Sequence, residues 1–214
     1  MTLEEFRERL RAEIQDKAGE LSDAELDSFI EDALRMLSER FGKIEKTDLT
    51  VQGGECYTLS NFDPDLSSII AVEHPKGEVP PSLLDEESYY LYDPTEPKVC
   101  FQEGVEGEVR IWYVVPWSDV SELSELGIAL LLELSLYRAL LGLSKRYLQS
   151  LDPSLDADTF NRLASSNPYS ALAEKHFDNF ERLLKRKLRQ AGMKRRWRRE
   201  VERIGKEPGE KRPL

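Results

Sequence analysis

The chain has 214 residues, with 41 acidic and 30 basic side chains and a formal net charge of −11. That length allows a sizeable core without disulfide staples, and the acidity argues against a general nucleic-acid coater, which needs a basic domain to neutralise phosphates. The charge is unevenly spread: residues 1–150 carry 31 acids and 14 bases, net −17, and residues 151–214 carry 10 acids and 16 bases, net +6.

The N-terminal segment is charged and amphipathic. Leu3, Phe6, Leu10 and Ile14 recur at steps of three and four and predict a helix over residues 3–18, broken at Gly19. There is no apolar stretch of the signal-peptide kind, nor a run of about 18 apolar residues that would span a membrane. Ser22 with Glu25 forms a capping box that opens a second helix over 22–41, with the stripe Leu26, Ile30, Ala33, Leu34, Leu37 and Phe41.

From about 47 to 117 the pattern changes to short β-prone runs separated by turn residues. They are Leu49–Val51, Cys56–Leu59, Ser68–Glu73, Tyr89–Tyr92, Val99–Gln102 and Glu108–Val115. Gly53-Gly54 suits a hairpin turn, and Asp93-Pro94 and Gly104 to Gly107 mark further turns, the last pair as a second hairpin. The run Val109 to Val115 predicts a central strand covered on at least one face.

After Trp117 the helical pattern returns. Ser118 or Asp119 can cap a helix over 120–148 that is apolar nearly all round, from Leu123 to Leu143, as expected of a helix buried on more than one side. A short helix is expected over Asp156–Ala164. Asn167-Pro168 reads as N-cap and first-turn proline of a helix over 168–191, with the stripe Ala173, Phe177, Phe180, Leu184 and Leu188 and a stop at Gly192. Beyond it, a basic segment continues as helix to about Ile204 and then frays. The expected fold class is α+β: a mainly helical bundle, with an inserted small antiparallel β-sheet or hairpin region and a basic C-terminal helix or tail. Residues 1–192 form one domain and 193–214 an extension.

Catalytic chemistry finds little purchase. His74 and His176 have no second His or Cys at ligand spacing, which leaves both with structural or surface roles and gives no metal or cofactor site. Cys56 and Cys100 are far apart in sequence, can pair only if the fold joins them, and are expected reduced in an intracellular chain. The glycines lack the Lys-Ser/Thr that completes a phosphate cradle. The expectation is a soluble protein that is not an enzyme, with no catalytic residues.

The pointed stretch is Lys194, Arg195, Arg196, Trp197, Arg198 and Arg199, within a segment, 182–203, that holds 11 bases and 2 acids. Arginines with an interleaved aromatic fit three roles: binding RNA or DNA, docking on an acidic protein surface, or a solvated tail. Trp197 favours an interface, since tryptophan is a common anchor there.

Segment order adds a resemblance. The N-terminal helices, the run Ile69-Ile70-Ala71-Val72-Glu73-His74-Pro75-Lys76-Gly77-Glu78-Val79-Pro80-Pro81, the strand Gly107 to Tyr113 and the long apolar helix resemble, over residues 20–190, a head–tail connector (adaptor) protein of tailed bacteriophages. His74 stands where that pattern carries an aromatic, and Pro116-Trp117 replaces a polar turn. The resemblance implies a virion-neck protein, assembled in the host cytoplasm. It implies a ring, commonly of twelve subunits, beneath the portal protein, which extends the channel for DNA without sequence-specific binding and offers a platform to a stopper or tail-completion protein. It also implies that the C-terminal segment grips the portal, and it carries no catalytic residues, no cofactor and no membrane partner. The rival is a small nucleic-acid-binding phage protein using the Arg-rich segment.

Overall fold

A computed structural model describes residues 1–14, 21–92, 97–151, 158–159 and 167–204, the stretch 190–204 as helical backbone. The fold is α+β. The elements are α1 (Leu3–Ile14), α2 (Asp23–Arg40), β1 (Lys43–Val51), β2 (Cys56–Thr58), β3 (Ser68–Glu73), β4 (Tyr89–Tyr92), β5 (Lys98–Phe101), β6 (Gly107–Val115), α3 (Glu125–Gln149) and α4 (Pro168–Ile204). The chain divides into two compact units, the first made of Met1–Phe41 and Trp117–Lys185, the second containing Gly42–Pro116.

The helical unit forms because each amphipathic stripe has a partner. Phe6 and Leu10 of α1, Leu26, Ile30, Ala33 and Leu37 of α2, and Ala173, Phe180 and Leu184 of α4 are buried with the leucines of α3 in one core. By length and apolarity α3 could cross a membrane. Ten of its residues, from Gly127 to Leu143, are instead buried within the unit. Its start differs from the sequence expectation. Asp119 caps a single 3-10 turn, Val120–Glu122, by accepting from Ser121 N, and Ser124 caps α3 by accepting from Gly127 N at 3.3 Å. Ser124 lies close enough to Glu125 to nucleate the long helix, so the earlier caps serve the turn alone.

The other caps hold as read. Ser22 Oγ accepts from Glu25 N, and Ser22 N donates to Glu25 Oε2 at 3.0 Å. Asn167 Oδ1 accepts from Tyr169 N at 3.1 Å, while its Nδ2 donates to Ser144 Oγ at 2.9 Å and so ties the start of α4 to α3. Trp117 closes the unit, donating from Nε1 to the Phe41 carbonyl at 2.6 Å and from its backbone N to Ser38 Oγ at 3.0 Å. That is what stands in place of the polar turn. Leu188, expected in the α4 stripe, is 48% exposed and outside the core, and α4 runs through Gly192 to Ile204. The expected helix at 15–18 lies outside the described residues; of Asp156–Ala164 only 158 and 159 are described, both helical.

The β unit holds two antiparallel three-stranded sheets, β1-β6-β3 and β2-β5-β4. As expected, β6 is central, with Val109, Ile111, Tyr113 and Val115 buried on one face. The two glycine turns differ from expectation. Gly53-Gly54 leads from β1 to β2 and Gly104–Gly107 from β5 to β6, so each joins strands of different sheets and neither closes a hairpin. The reason is packing: β1 pairs along its whole length with β6, Lys43 opposite Val115 and Val51 opposite Gly107, leaving β2 to pair elsewhere. The two turns also crowd each other, since a Cβ on Gly53 would stand 2.8 Å from the backbone N of Gly104.

The cysteines, expected reduced, are joined as a disulfide, because the β2–β5 register sets Cys56 directly opposite Cys100. The closed loop constrains the unfolded chain over a sequence separation of 44. Thiol reductant is therefore expected to cost the β unit about 2–4 kcal/mol, read as a lower denaturant midpoint of the full chain. An unchanged midpoint would show that the pair contributes nothing.

Candidate interaction surfaces

The outward face of the β1-β6-β3 sheet carries an ordered row of charge. Asp48, Arg110 and Glu73 lie side by side across the three strands. Arg110 donates to Asp48 through Nε at 2.7 Å and Nη2 at 3.1 Å, a bidentate fork, and Lys76 Nζ sits 3.2 Å from the same carboxylate. Glu73, 5% exposed, accepts from Gly77 N at 2.8 Å and faces Arg110 at 3.8 Å, so the buried acid is compensated. The hydrogen bonds from Arg110, then the bond and charge of Lys76, outweigh desolvation and hold the Asp48 carboxyl at about 2.

A carboxyl with a depressed folded pKa contributes stability above its unfolded value of about 4 and loses it as pH falls towards 2. Asp48→Asn is expected to lower the urea midpoint at neutral pH and to flatten its decline between about pH 4 and 2. An identical decline in the variant would mean the row does not support the sheet.

Next to this row the same face turns apolar. Ile44, Ile70, Glu73, Pro81, Leu83 and Trp112 line a groove of about 320 Å³. Ile44 is 63% exposed, and Lys46 Nζ lies 5.7 Å over the Trp112 ring. Elsewhere in the unit, Tyr90, Leu91 and Tyr92 on β4 and Val79 in the loop after β3 are exposed. So many wet apolar side chains fit a protein that makes contacts through this unit.

The helical unit has a second groove, of about 410 Å³, lined by Phe29, Arg138, Leu141, Gly142, Ser144, Lys145 and Leu148. Gly142 shapes it: a Cβ there would lie 2.7 Å from Phe29 Cζ. Arg138 pairs with Asp32 and Arg146 with Glu25 along the same side of α2. Sequence reasoning missed both grooves. Gly142, a glycine well inside a leucine-rich helix, was the available signal for this one.

Of the residues singled out from sequence, Lys194, Arg195, Arg196, Trp197, Arg198 and Arg199 all fall on the helical backbone of α4. His176 Nδ1 lies 2.7 Å from Glu133 Oε2, with Asn179 beside the same carboxylate, a polar clasp between α4 and α3. His74 N donates to the Ser82 carbonyl at 2.9 Å and fastens the base of the Pro75–Pro81 loop. Among the described residues no three His, Cys, Asp or Glu side chains are placed to hold a metal ion.

Comparison with known proteins gives a family and structural likenesses. The model of the SU10 adaptor protein family matches residues 1–203, in line with the resemblance read from the sequence. Among solved structures, the chain is similar to one described as the neck of a native GTA particle computed with C12 symmetry. The two are 18% identical, the match covers 78% of this chain and 86% of that one, and the TM-score is 0.29. No curated protein matches.

Proposed function

The chain belongs to the SU10 adaptor protein family, and from that premise we propose that it is a structural subunit of a phage neck. In this reading it forms a ring, of twelve copies on the adaptor pattern, that docks beneath the portal, extends the DNA channel and receives a stopper or tail-completion protein. It performs no catalysis. The observation that carries the reading is the family match along residues 1–203, which takes in the whole of the basic run 182–203.

The charge division supports the same reading physically. A body with net charge −17 repels phosphate and lets DNA slide past it, and a segment with net charge +6 suits an acidic docking surface. Exposed apolar groups on the β unit supply contact area for neighbours in an assembly.

Mixing the purified chain with the candidate portal and weighing the product tests the proposal. A stable complex with one ring of this chain per portal is expected; two species that keep their separate masses would overturn it. One rival keeps a specific observation, the 11 bases against 2 acids in 182–203. Tight DNA or RNA binding by the monomer, falling steeply with salt in mobility shifts, would favour that nucleic-acid-binding role.

A further inference from the structure

The groove on α3 and the outer face of α1 lie on opposite flanks of α2. The core stripe of α2 is Leu26, Ile30, Ala33 and Leu37. At about 100° per residue, Asp23 and Asp27 fall to one side of it and Glu25, Phe29 and Asp32 to the other. Contacts bear out that division. Asp27 holds Arg7 of α1 at 2.8 Å and Asp23 holds Arg11 at 2.6 Å, whereas Glu25 and Asp32 hold Arg146 and Arg138 of α3.

The two surfaces match in length and charge. Along α3 the groove runs from Arg138 to Leu148, about 15 Å, and α1, with 12 residues, is about 18 Å long. Its floor is the half-buried Phe29, Leu141 and Leu148, with the Phe29 ring packed into the place that Gly142 leaves without a side chain. At its rim Lys145 is exposed and pairs with no acid among the described residues. On α1 the two arginines tied to Asp23 and Asp27 turn inward, so the outward face presents Glu4, Glu5 and Glu8, with Arg9 the remaining exposed arginine. Leu3, at the edge of the buried stripe of Phe6 and Leu10 and 37% exposed, is the apolar group on that helix left open to a floor of leucines.

We infer that this groove receives α1 of a second copy of the chain, Leu3 meeting the leucine floor and the α1 acids facing Lys145. Because donor helix and acceptor groove occupy different flanks, each copy gives one contact and takes one. A contact of that heterologous kind closes into a ring when its rotation allows. The inference rests on the ring-subunit reading above and names the contact that builds the ring.

Light scattering on the eluting full-length chain tests it with surface substitutions. Lys145→Glu alone, and Glu4→Lys with Glu8→Lys, should each weaken association at least tenfold while leaving the thermal midpoint unchanged. Combining all three in one chain swaps both charges and should restore the wild-type mass. If the wild type forms rings and neither variant changes their mass, the ring stands and this contact is wrong. Loss in both variants without restoration in the swap would equally overturn the contact. A wild-type chain that stays monomeric at every concentration, with and without portal, would overturn the ring reading itself.

Discussion

Phe180→Ala is expected to destabilise the helical unit by about 3–5 kcal/mol, the cost of emptying a buried phenylalanine site. The ring is 1% exposed, within 6.1 Å of the Phe177 ring, and shares a core with Leu184 of α4 and the leucines of α3. Two features make the site slow to collapse around a hole. Before the ring is reached, Asn167 is fixed to Ser144 and His176 to Glu133, so the stretch of α4 leading to the gap is held against α3. A packed helix that cannot slide inward leaves the cavity open and takes the upper part of that range. Denaturant midpoints of the full chain measure the effect. A loss below about 1 kcal/mol would mean that α4 is not part of the cooperative core.

Much of the helical unit was legible because its signals are local. The capping box at Ser22 and Glu25, the Asn167-Pro168 start and, Leu188 apart, the three-and-four spacing in α1, α2 and α4 appear where the sequence places them. The start of α3 was misplaced, because four residues of capping type, Ser118, Asp119, Ser121 and Ser124, crowd within seven positions, and competition among them is settled by which turn packs on the core. The strands were readable as strands, since β-prone runs between turn residues need no partner to be seen. Their pairing was not. β1 pairs with β6, whose residues lie 56 to 72 positions further along, and nothing in the Gly53-Gly54 turn distinguishes a hairpin from a step between sheets.

The same long-range pairing hid the most ordered parts of the surface. Arg110 meets Asp48 across 62 residues, and Cys56 meets Cys100 across 44, and each meeting is a consequence of strand register rather than of spacing. The groove on α3 depends on Phe29 arriving beside Gly142 from another helix. Composition, by contrast, needs no fold: the basic C-terminal segment was visible from charge counting alone. The resemblance was read in part from the run Ile69 to Pro81, which lies within the residues that the family matches, 1–203. There the structure turns Glu73 inward onto Gly77 N and fastens His74 to Ser82.

On the proposed anchoring role, a chain ending at residue 192 should keep its helical signal and thermal midpoint and lose portal binding altogether. The fold should survive because the buried α4 residues, Ala173, Phe180 and Leu184, all precede the cut. Binding should fail because the removed stretch holds Lys194, Arg195, Arg196, Arg198 and Arg199 around Trp197. Each charge-assisted hydrogen bond to an acidic surface is worth about 1.5–3 kcal/mol, and a few of them exceed the whole affinity of a micromolar complex, about 8 kcal/mol. Trp197→Ala alone, the removal of an anchor worth about 2 kcal/mol, should weaken the complex about thirtyfold. Charge attraction also predicts a faster fall in affinity with salt for the full chain than for a variant in which the five bases are replaced by glutamine. If the shortened chain binds portals as well as the full one, the grip lies in the two units, and the basic segment acts elsewhere.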